Sequence, residues 1–267
     1  MQRFGIVLIV IAIIGMIFTA KPFFTRATID DSQSYVSDTI ENIVIHSTQA
    51  NIEVVPSDLD TIVVSYRGST NSGEKLTLDE KISVDEATGT LTIDLRKSRF
   101  LNISLFNFQW LNSEKLQVQL PRQQFESIKV HNSVGKTLVQ DIGVRELIAD
   151  NDVGQLTMEN IVAESIEAVN NVGNLSLQHL TGKLSAKNDV GNISLTNDDI
   201  ANDMTFVSNV GNIKLTVPRV PENVSFQANT SLGNVKIFGK SQSHIEKHTK
   251  HIVALTTDLG NITVKKK

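Results

Sequence analysis

A glycine phrase that occurs seven times is the feature that most constrains the fold of this chain. The phrases include NDVGQ, NNVGN, NDVGN, SLGN and DLGN, and their glycines follow one another at steps of 19, 19, 18, 20, 22 and 27 residues. The glycines are Gly135, Gly154, Gly173, Gly191, Gly211, Gly233 and Gly260. A repeat near 20 residues, with short apolar runs between glycines, is typical of a solenoid in which each repeat forms one rung.

Apolar residues hold fixed positions around each glycine, at −7, −5, −1, +2 and +4. Around Gly191 they are Leu184, Ala186, Val190, Ile193 and Leu195. Steps of two are the side-chain period of a β-strand, so one strand is predicted before each glycine and one after it. The glycine is expected at a corner, where it supplies a positive φ or a close backbone approach. The −1 residues are expected to form one interior column of Val172, Val190, Val210 and Leu232.

The register extends toward the N-terminus in a weaker form. Ala50 takes the glycine place between Ile43 and Val54, and Gly89 takes it between Ile82 and Ile93. With 40% hydrophobic and 20% charged residues, the composition allows a buried core. Residues 41–267 are therefore predicted to form one continuous all-β domain, a single-stranded β-solenoid of about seven to nine rungs.

The first twenty residues are predicted to be a signal anchor. Residues 4–20 carry no charge, and as a helix these seventeen residues span roughly 25 Å, the short end of a membrane crossing. A cleaved signal peptide is the alternative, disfavoured by Phe18 at −3 of a cleavage site after Ala20; a buried soluble helix is a third. The prediction is a transmembrane helix over residues 1–20, a stalk over residues 21–40 and a single-pass cell-membrane protein with an extracytoplasmic C-terminal domain.

Charge and cysteine content exclude several function classes. The net charge of −4 gives no indication of a nucleic-acid partner. The chain contains no cysteine, which excludes disulfides, thiol nucleophiles and cysteine metal sites. No nucleophile elbow, phosphate loop or dinucleotide fingerprint is present. Neighbouring carboxylates are the remaining candidates for catalysis, and they are not at a repeated position: Asp30, Asp31, Asp58, Asp60, Asp198 and Asp199.

An aromatic segment over residues 98–113 interrupts the repeat. Phe106, Phe108 and Trp110 alternate, so they are expected to share one face of a strand. That face either caps the solenoid, as terminal rungs require, or contacts a glycan, a lipid headgroup or a protein partner.

Repeated polar residues suggest two further candidate sites. Asparagines recur before and after the glycines, and stacked rungs would place them roughly 4.8 Å apart, close enough for a hydrogen-bonded ladder. The alternative is a calcium site with Asp152, Asp189 and Asp258, although the glycine-rich pattern of calcium-binding repeats is missing.

The segment with His244, His248 and His251 is expected to be an exposed polar loop, and a metal site is its alternative.

The anchor, the stalk and the serial motif [ND]-x-V-G-N-[IL]-x-L together resemble the LiaG-like putative-adhesin β-repeat family of bacterial envelope proteins. The resemblance covers about residues 41–264 and implies a membrane-anchored, outward-facing β-solenoid associated with envelope stress. The family supplies no catalytic residue, and no cofactor or metal is predicted. The expected function is non-enzymatic binding or scaffolding, with a cell-envelope polymer or a membrane protein as partner. A carbohydrate-active enzyme on the same scaffold, or a structural or regulatory partner of a membrane protein, is the alternative.

Overall fold

The computed structural model describes residues 26–71, 77–96, 114–245 and 250–267. Within these ranges the chain is all-β, with one short 3-10 helix at Leu78–Lys81. The strands are β1 (Arg26–Val36), β2 (Asn42–Ser47), β3 (Asn51–Ser57), β4 (Thr61–Asn71), β5 (Ile82–Asp85), β6 (Thr90–Leu95), β7 (Lys115–Pro121), β8 (Phe125–Gln140), β9 (Gly143–Val172), β10 (Leu175–Val190), β11 (Ile193–Thr196), β12 (Met204–Val210), β13 (Ile213–Val217), β14 (Val224–Leu232), β15 (Val235–Ile237), β16 (His244–Ile245), β17 (His251–Leu259) and β18 (Ile262–Lys266). The all-β prediction is confirmed.

Each rung contributes one stretch of strand before its glycine and one after it. The stretches before the glycine pair in parallel with those of the neighbouring rungs, as β10 does with β12 through Leu184–Met204 and Ala186–Phe206. The stretches after the glycine pair in the same way, as β11 does with β13. We call the two resulting surfaces the approach sheet and the exit sheet. A corner at the repeated glycine, or at Ala50 in the rung of β2 and β3, joins the two sheets.

The order of the rungs in space differs from their order in the chain at both ends. At the N-terminal end, the rung of β2 and β3 pairs with β8 on one side and with β6 and β7 on the other. At the C-terminal end, β17 and β18 lie between β12–β13 and β14–β15. The first and last rungs of the chain are therefore the second and the penultimate rungs of the stack.

Antiparallel strands complete the described ends of the stack. Strand β4 pairs with β7, and β1 pairs with β4 along its whole length. Strand β5 pairs with β6, and the two-residue β16 pairs with β14. Residues 26–36, which belong to the predicted stalk, are thus part of the folded domain.

The core consists of columns of aliphatic side chains that repeat from rung to rung. The residues at −7, −5, +2 and +4 face inward, and around Gly191 they are between 0% and 2% exposed. A second corner closes each of the central rungs six residues after the glycine, where Asp141, Asn160 and His179 have φ between 50° and 56°. The next residue in each case is buried: Ile142, Ile161 and Leu180.

The predicted transmembrane helix, residues 1–20, lies outside the described residues. Within the part of the chain that the structure describes, no helix is long and apolar enough to cross a membrane.

Candidate functional site

The repeated corner is built around glycine because no side chain fits there. All seven repeat glycines have a positive φ, between 133° and 157°. A Cβ added to Gly191 would lie 1.8 Å from the carbonyl oxygen of Gly173, far inside van der Waals contact. Ala50, which takes the glycine place in its rung, presents its carbonyl oxygen 2.1 Å from the Cβ position of Gly135. Both a positive φ and a close backbone approach therefore require glycine at the seven repeat positions, whereas Ala50 is not among the residues with a positive φ.

The residues just before the corner glycines form an exposed apolar column, and the prediction of an interior column is wrong. Val172, Val190 and Val210 are 46%, 48% and 46% exposed, and Leu232 is 67% exposed. The interior at this corner is filled by the residue at −3, so the backbone turns the −1 side chain outward. We call the column the corner stripe; in spatial order it consists of Val153, Val172, Val190, Val210, Leu259 and Leu232.

The −3 position carries an interior ladder of asparagines, which confirms the ladder prediction for the set before the glycine. Asn132, Asn151 and Asn170 are fully buried and Asn188 is 2% exposed. The Asn151 amide donates to Oδ1 of Asn170 at 3.0 Å, and the Asn170 amide donates to Oδ1 of Asn188 at 3.3 Å. The ladder ends where Asn188 donates to the carbonyl oxygen of Gly173. Asn132 joins the ladder through Thr137, whose hydroxyl donates to Oδ1 of Asn151, while Oδ1 of Asn132 has no hydrogen-bond partner among the described residues. The other buried amides are tolerated because their neighbours supply partners.

A second ladder runs along the outside, one residue after the glycines. The Asn212 amide donates to Oδ1 of Asn192 at 3.0 Å, and the Asn192 amide donates to Oδ1 of Asn174 at 3.3 Å. Toward the C-terminal end the backbone N–H of Asn261 donates to Oδ1 of Asn212, and the Asn234 amide donates to Oδ1 of Asn261. The ladder prediction is confirmed here too, and these amides are exposed to solvent.

The three aspartates of the calcium alternative lie two rungs apart rather than together. They occupy the −2 position, where Asn171 separates Asp152 from Asp189 and Asn209 separates Asp189 from Asp258. The Asn171 amide donates to Asp152 at 3.0 Å and the Asn209 amide donates to Asp189 at 3.1 Å. The alternation of acid and amide avoids stacking like charges at the rung spacing. These carboxylates therefore belong to an intramolecular column.

A column of titratable side chains on the approach sheet is a feature that sequence reasoning missed. The column contains Asp94, His46, His131 and Asp150 in adjacent rungs. Nδ1 of His131 lies 3.1 Å from Oδ2 of Asp150, and the His46 and His131 ring centroids are 6.3 Å apart. The sequence signal for this column was a shared position. His46, His131 and Asp150 each lie four residues before a corner residue, namely Ala50, Gly135 and Gly154.

Burial, hydrogen bonds and neighbouring charges shift the pKa values of two residues in this column. Burial lowers the pKa of His46, the Arg96 guanidinium lowers it further, the Asp94 carboxylate opposes the shift, and His131 adds to it. Hydrogen bonds from Arg96 lower the pKa of Asp94 to about 2, against a smaller contribution from burial. Arg96 donates to both carboxylate oxygens of Asp94. His46 is therefore held toward its neutral form.

The candidate carboxylates for catalysis do not converge. Asp30 pairs with Arg67, Asp58 with Arg122 and Asp198 with His179, each on a different part of the domain. The Asp31 carboxylate accepts the backbone N–H of Leu78 and that of Asp199 accepts the N–H of Ile200, while the backbone carbonyl of Asp60 accepts the Ser37 hydroxyl.

The remaining predicted sites lie wholly or partly outside the residues that the structure describes. Phe106, Phe108 and Trp110 lie outside the described residues, as does His248. The backbone of His244 belongs to β16, and Nδ1 of His251 lies 3.9 Å from Oδ1 of Asp203. Over residues 26–71, 77–96, 114–245 and 250–267, no group of three or more His, Cys, Asp or Glu side chains is arranged to hold a metal ion.

Comparison with protein families identifies the repeat architecture. A family model described as Toastrack DUF4097 matches residues 40–179 and 139–265. The chain belongs to the Toastrack DUF4097 family. The two matches overlap at residues 139–179 and together cover the solenoid from residue 40 to residue 265. Comparison of this Toastrack protein with curated proteins gives no match.

Three solved structures are similar to this Toastrack protein. A putative cell adhesion protein from Clostridium sporogenes is 13% identical, with a TM-score of 0.44, and the match covers 90% of this chain and 100% of that chain. A putative adhesin from Bacteroides fragilis is 17% identical, with a TM-score of 0.48 and coverage of 92% and 99%. A putative lipid binding protein from Parabacteroides distasonis is 12% identical, with a TM-score of 0.23 and coverage of 89% and 96%.

Proposed function

We propose that this Toastrack protein is a non-enzymatic binding or scaffold protein of the bacterial cell envelope. Residues 1–20 would anchor it in the cell membrane, with the solenoid outside the cytoplasm. Within its family it would belong to the LiaG-like proteins linked to envelope stress. Its partner would be a cell-envelope polymer or a membrane protein.

The corner stripe is the observation that carries this proposal. Six aliphatic side chains, between 46% and 67% exposed, follow one another at roughly 4.8 Å and form an apolar ridge about 24 Å long. An ordered apolar ridge of this kind, repeated in six successive rungs, indicates a contact surface rather than a site of chemistry.

The polar side chains of the rungs support the same proposal. The asparagines of both ladders, the Asp152 and Asp189 carboxylates and the Asp94–Arg96 pair all bond to neighbours in their own or adjacent rungs. Within the described residues, these groups bond to one another and so hold the stack together. A stiff stack that presents one apolar ridge suits binding or spacing.

Capture on isolated envelopes tests the proposal. The full-length protein, purified in detergent, is incubated with cell walls and with membranes, and the bound fraction and any polymer cleavage are measured together. The stripe variant Val190→Asp should lose capture, whereas Val162→Asp, at a position 61% exposed and outside the stripe, should retain it. Polymer cleavage by the wild type, or equal capture by both variants, would contradict the proposal.

A further inference from the structure

The net charge of −4 is unevenly distributed along the stack. Residues 204–267, which form the last three rungs, contain nine Lys and Arg against three Asp and Glu, a formal charge of +6 with His neutral. Residues 26–203 contain fourteen Lys and Arg against twenty-six Asp and Glu, a formal charge of −12. One end of the solenoid is therefore basic, and the rest of it is acidic.

The cations at the two ends of the stack differ in their partners. Near the first rungs, basic side chains lie in ion pairs, as Nζ of Lys115 does with Oε2 of Glu53 at 2.8 Å. At the other end, Lys214, Lys236 and Lys265 are exposed, and none of them pairs with a carboxylate of the described residues. Their ammonium groups are thus available to an anion from outside the chain.

The three lysines surround one hydroxyl on the outer surface of the exit sheet. Lys214 of β13 and Lys236 of β15 flank Thr263 of β18, one on each side. Lys265 lies two residues further along β18. Strands lie about 4.8 Å apart and residues rise about 3.3 Å, so the Cα atoms of the lysines lie about 8–10 Å from one another. This spacing lets them contact neighbouring anionic groups of one ligand.

Rows of amides and hydroxyls extend from the lysines across two further rungs. We call this surface the exit face; it consists of the outward positions +1 and +3 in the successive rungs of Gly173, Gly191, Gly211, Gly260 and Gly233, together with Lys265. All five residues at +1 are asparagines, and those at +3 are serine, threonine or lysine. The exit face therefore extends over about 19 Å and contains no carboxylate.

The amides of the exit face keep hydrogen-bonding capacity after their internal bonds are made. Asn192 donates one amide N–H to Oδ1 of Asn174, and an amide nitrogen has two N–H groups. The exit face therefore offers amide donors beside ammonium groups, a combination that suits phosphate oxygens and the hydroxyl groups of a polyol or sugar.

We propose that the exit face binds an extended phosphodiester polymer of the cell envelope. The three lysines contact its phosphates, and the amides and hydroxyls contact its polyol or sugar units. The proposal rests on the proposed function and deepens it by naming the chemical class of the envelope polymer. Because the +1 asparagines lie two residues beyond the corner stripe, the polymer runs beside the stripe. The acidic remainder of the domain directs it toward the basic end.

The place of the lysines in the fold favours a polymer over a membrane surface. Within the described residues, β1 forms one edge of the exit sheet, next to β4 and β7, and β15 forms the other edge. The chain enters the domain at β1, so an anchor in residues 1–20 connects to the acidic end. The lysine strands lie at the opposite end, nine to ten strand spacings or about 43–48 Å along the sheet.

Binding to intact and stripped cell walls tests the proposal. Full-length protein in a non-ionic detergent is incubated with isolated walls, either intact or treated with cold hydrofluoric acid, which removes phosphodiester polymers from the wall. The test variant replaces the three exit-face lysines by Gln. The control variant replaces Lys136, Lys183 and Lys187 by Gln, which makes the same change in net charge at exposed positions outside the exit face. Cooperative melting verifies the fold of each variant.

The wild type and the control variant should bind intact walls equally well, and both should bind stripped walls at least tenfold more weakly. Three lysine contacts with a flexible polyanion contribute about 2 to the slope of log affinity against log salt. The test variant should lose this part of the slope, and with it about tenfold or more of its affinity at about 0.1 M salt. Equal binding to intact and stripped walls, or equal losses in the two variants, would overturn the inference.

Competition distinguishes a polymer from a lipid headgroup. Long-chain inorganic polyphosphate and dihexanoyl phosphatidylglycerol, a soluble lipid with a single phosphodiester, are added to wall-bound protein at equal phosphate concentration. A ligand that contacts several lysines at once should displace the protein at least tenfold more effectively. Equal displacement by the two competitors would overturn the assignment of an extended polymer.

The outcomes separate failure of this inference from failure of the proposed function. Envelope capture that is lost in Val190→Asp but unchanged in the lysine test variant would overturn this inference and leave the proposed function standing with another ligand. Polymer cleavage by the wild type would contradict the proposed function, whereas lysine-dependent displacement by polyphosphate would still support the exit face as the binding site.

Discussion

At the scale of single residues, the corner glycines are the positions at which the fold accepts no side chain. Gly191 has a φ of 135°, and its Cβ position lies 1.8 Å from the Gly173 carbonyl oxygen. Gly143, by contrast, has no heavy atom within 4 Å of its Cβ position. The two glycines therefore form a matched pair for mutation.

The first prediction is that Gly191→Val destabilises the protein far more than Gly143→Val. We expect a loss of about 3 kcal/mol or more at Gly191, since the backbone must shift to admit the side chain. At Gly143, on a strand with open space, the change should stay below about 1 kcal/mol. Chemical denaturation midpoints measure both, and equal losses would show that the corner has no special requirement for glycine.

The second prediction compares the two asparagine ladders. Asn170 is fully buried and bonds to Asn151 and Asn188, so Asn170→Ala leaves two buried polar groups without their partner. The expected loss is about 2–3 kcal/mol. The exposed neighbours of Asn192 can bond to water instead, so Asn192→Ala should cost less than about 1 kcal/mol. A larger loss for Asn192→Ala in the same denaturation series would contradict the assignment of interior and exterior ladders.

The third prediction follows from the lowered pKa of His46. The unfolded chain protonates this imidazole near its ordinary value of 6.5, whereas burial and Arg96 resist protonation in the folded state. Protons therefore favour the unfolded state, and stability is lost as the pH falls below that value. His46→Gln removes this loss, so the stability of the wild type relative to the variant should fall between about pH 7.5 and about pH 5. Parallel curves of melting temperature against pH would rule out the effect.

Much of the rung could be predicted from residues alone, and the errors have physical causes. The positions −7, −5, +2 and +4 were predicted to be inward because they follow the strand period, and around Ala50 and the seven repeat glycines they are buried or half-buried. The register predicted around Gly89 is wrong, because β5 and β6 form an antiparallel hairpin there, Val84 is 39% exposed and β6 pairs with β2 as a strand of the approach sheet. Val190 was misassigned because the period continues through −1, whereas the buried Asn188 fills the corner and turns the valine outward. The second corner was missed because Asp141 and Asn160 adopt a left-handed conformation without a glycine to mark it.

At the scale of elements, the exchange of rung order at the ends could not be inferred from the repeat. Every rung has nearly the same pattern, so the pattern does not specify which rungs are neighbours. Gly233 and Gly260 are 27 residues apart, and this extra length allows the chain to pass through the outermost rung, β14 and β15, before β17 and β18. Strands β17 and β18 then lie between that rung and the rung of β12 and β13. As a result, the last strands, β17 and β18, are held between two other rungs.

The fourth prediction is that the C-terminal strands are more important for stability than the rung that precedes them in the chain. Deletion of residues 251–267 removes the penultimate rung, including four buried aliphatic side chains, and uncovers both of its neighbours. At about 1.5–3 kcal/mol per buried side chain, the loss is about 6 kcal/mol or more. Deletion of residues 223–249 removes the outermost rung and joins β13 to β17 by a short turn, so this variant should still unfold cooperatively. Thermal unfolding of the two variants tests the spatial order, which would be contradicted if deletion of 223–249 were the more damaging.

At the scale of the whole molecule, the polar and apolar side chains of the described solenoid form columns that run along the stack. The columns of amides, carboxylates and histidines bond from rung to rung, and the corner stripe is the long apolar column on the described surface. A ligand that matches this surface is itself extended, such as a wall polymer or another stacked rung array. The fold alone does not assign the function, which depends on what occupies the stripe.

The most direct test measures the accessibility of a single thiol at Val190 in two settings. In dilute purified protein, we predict that a maleimide labels Val190→Cys as quickly as it labels Val162→Cys, because both positions face solvent. In intact envelopes, labelling of Val190→Cys should fall about tenfold while Val162→Cys is unchanged, since the stripe is covered by its partner. Equal labelling of Val190→Cys in both settings would contradict the stripe as the contact surface, and absence of labelling in the purified protein would contradict its exposure.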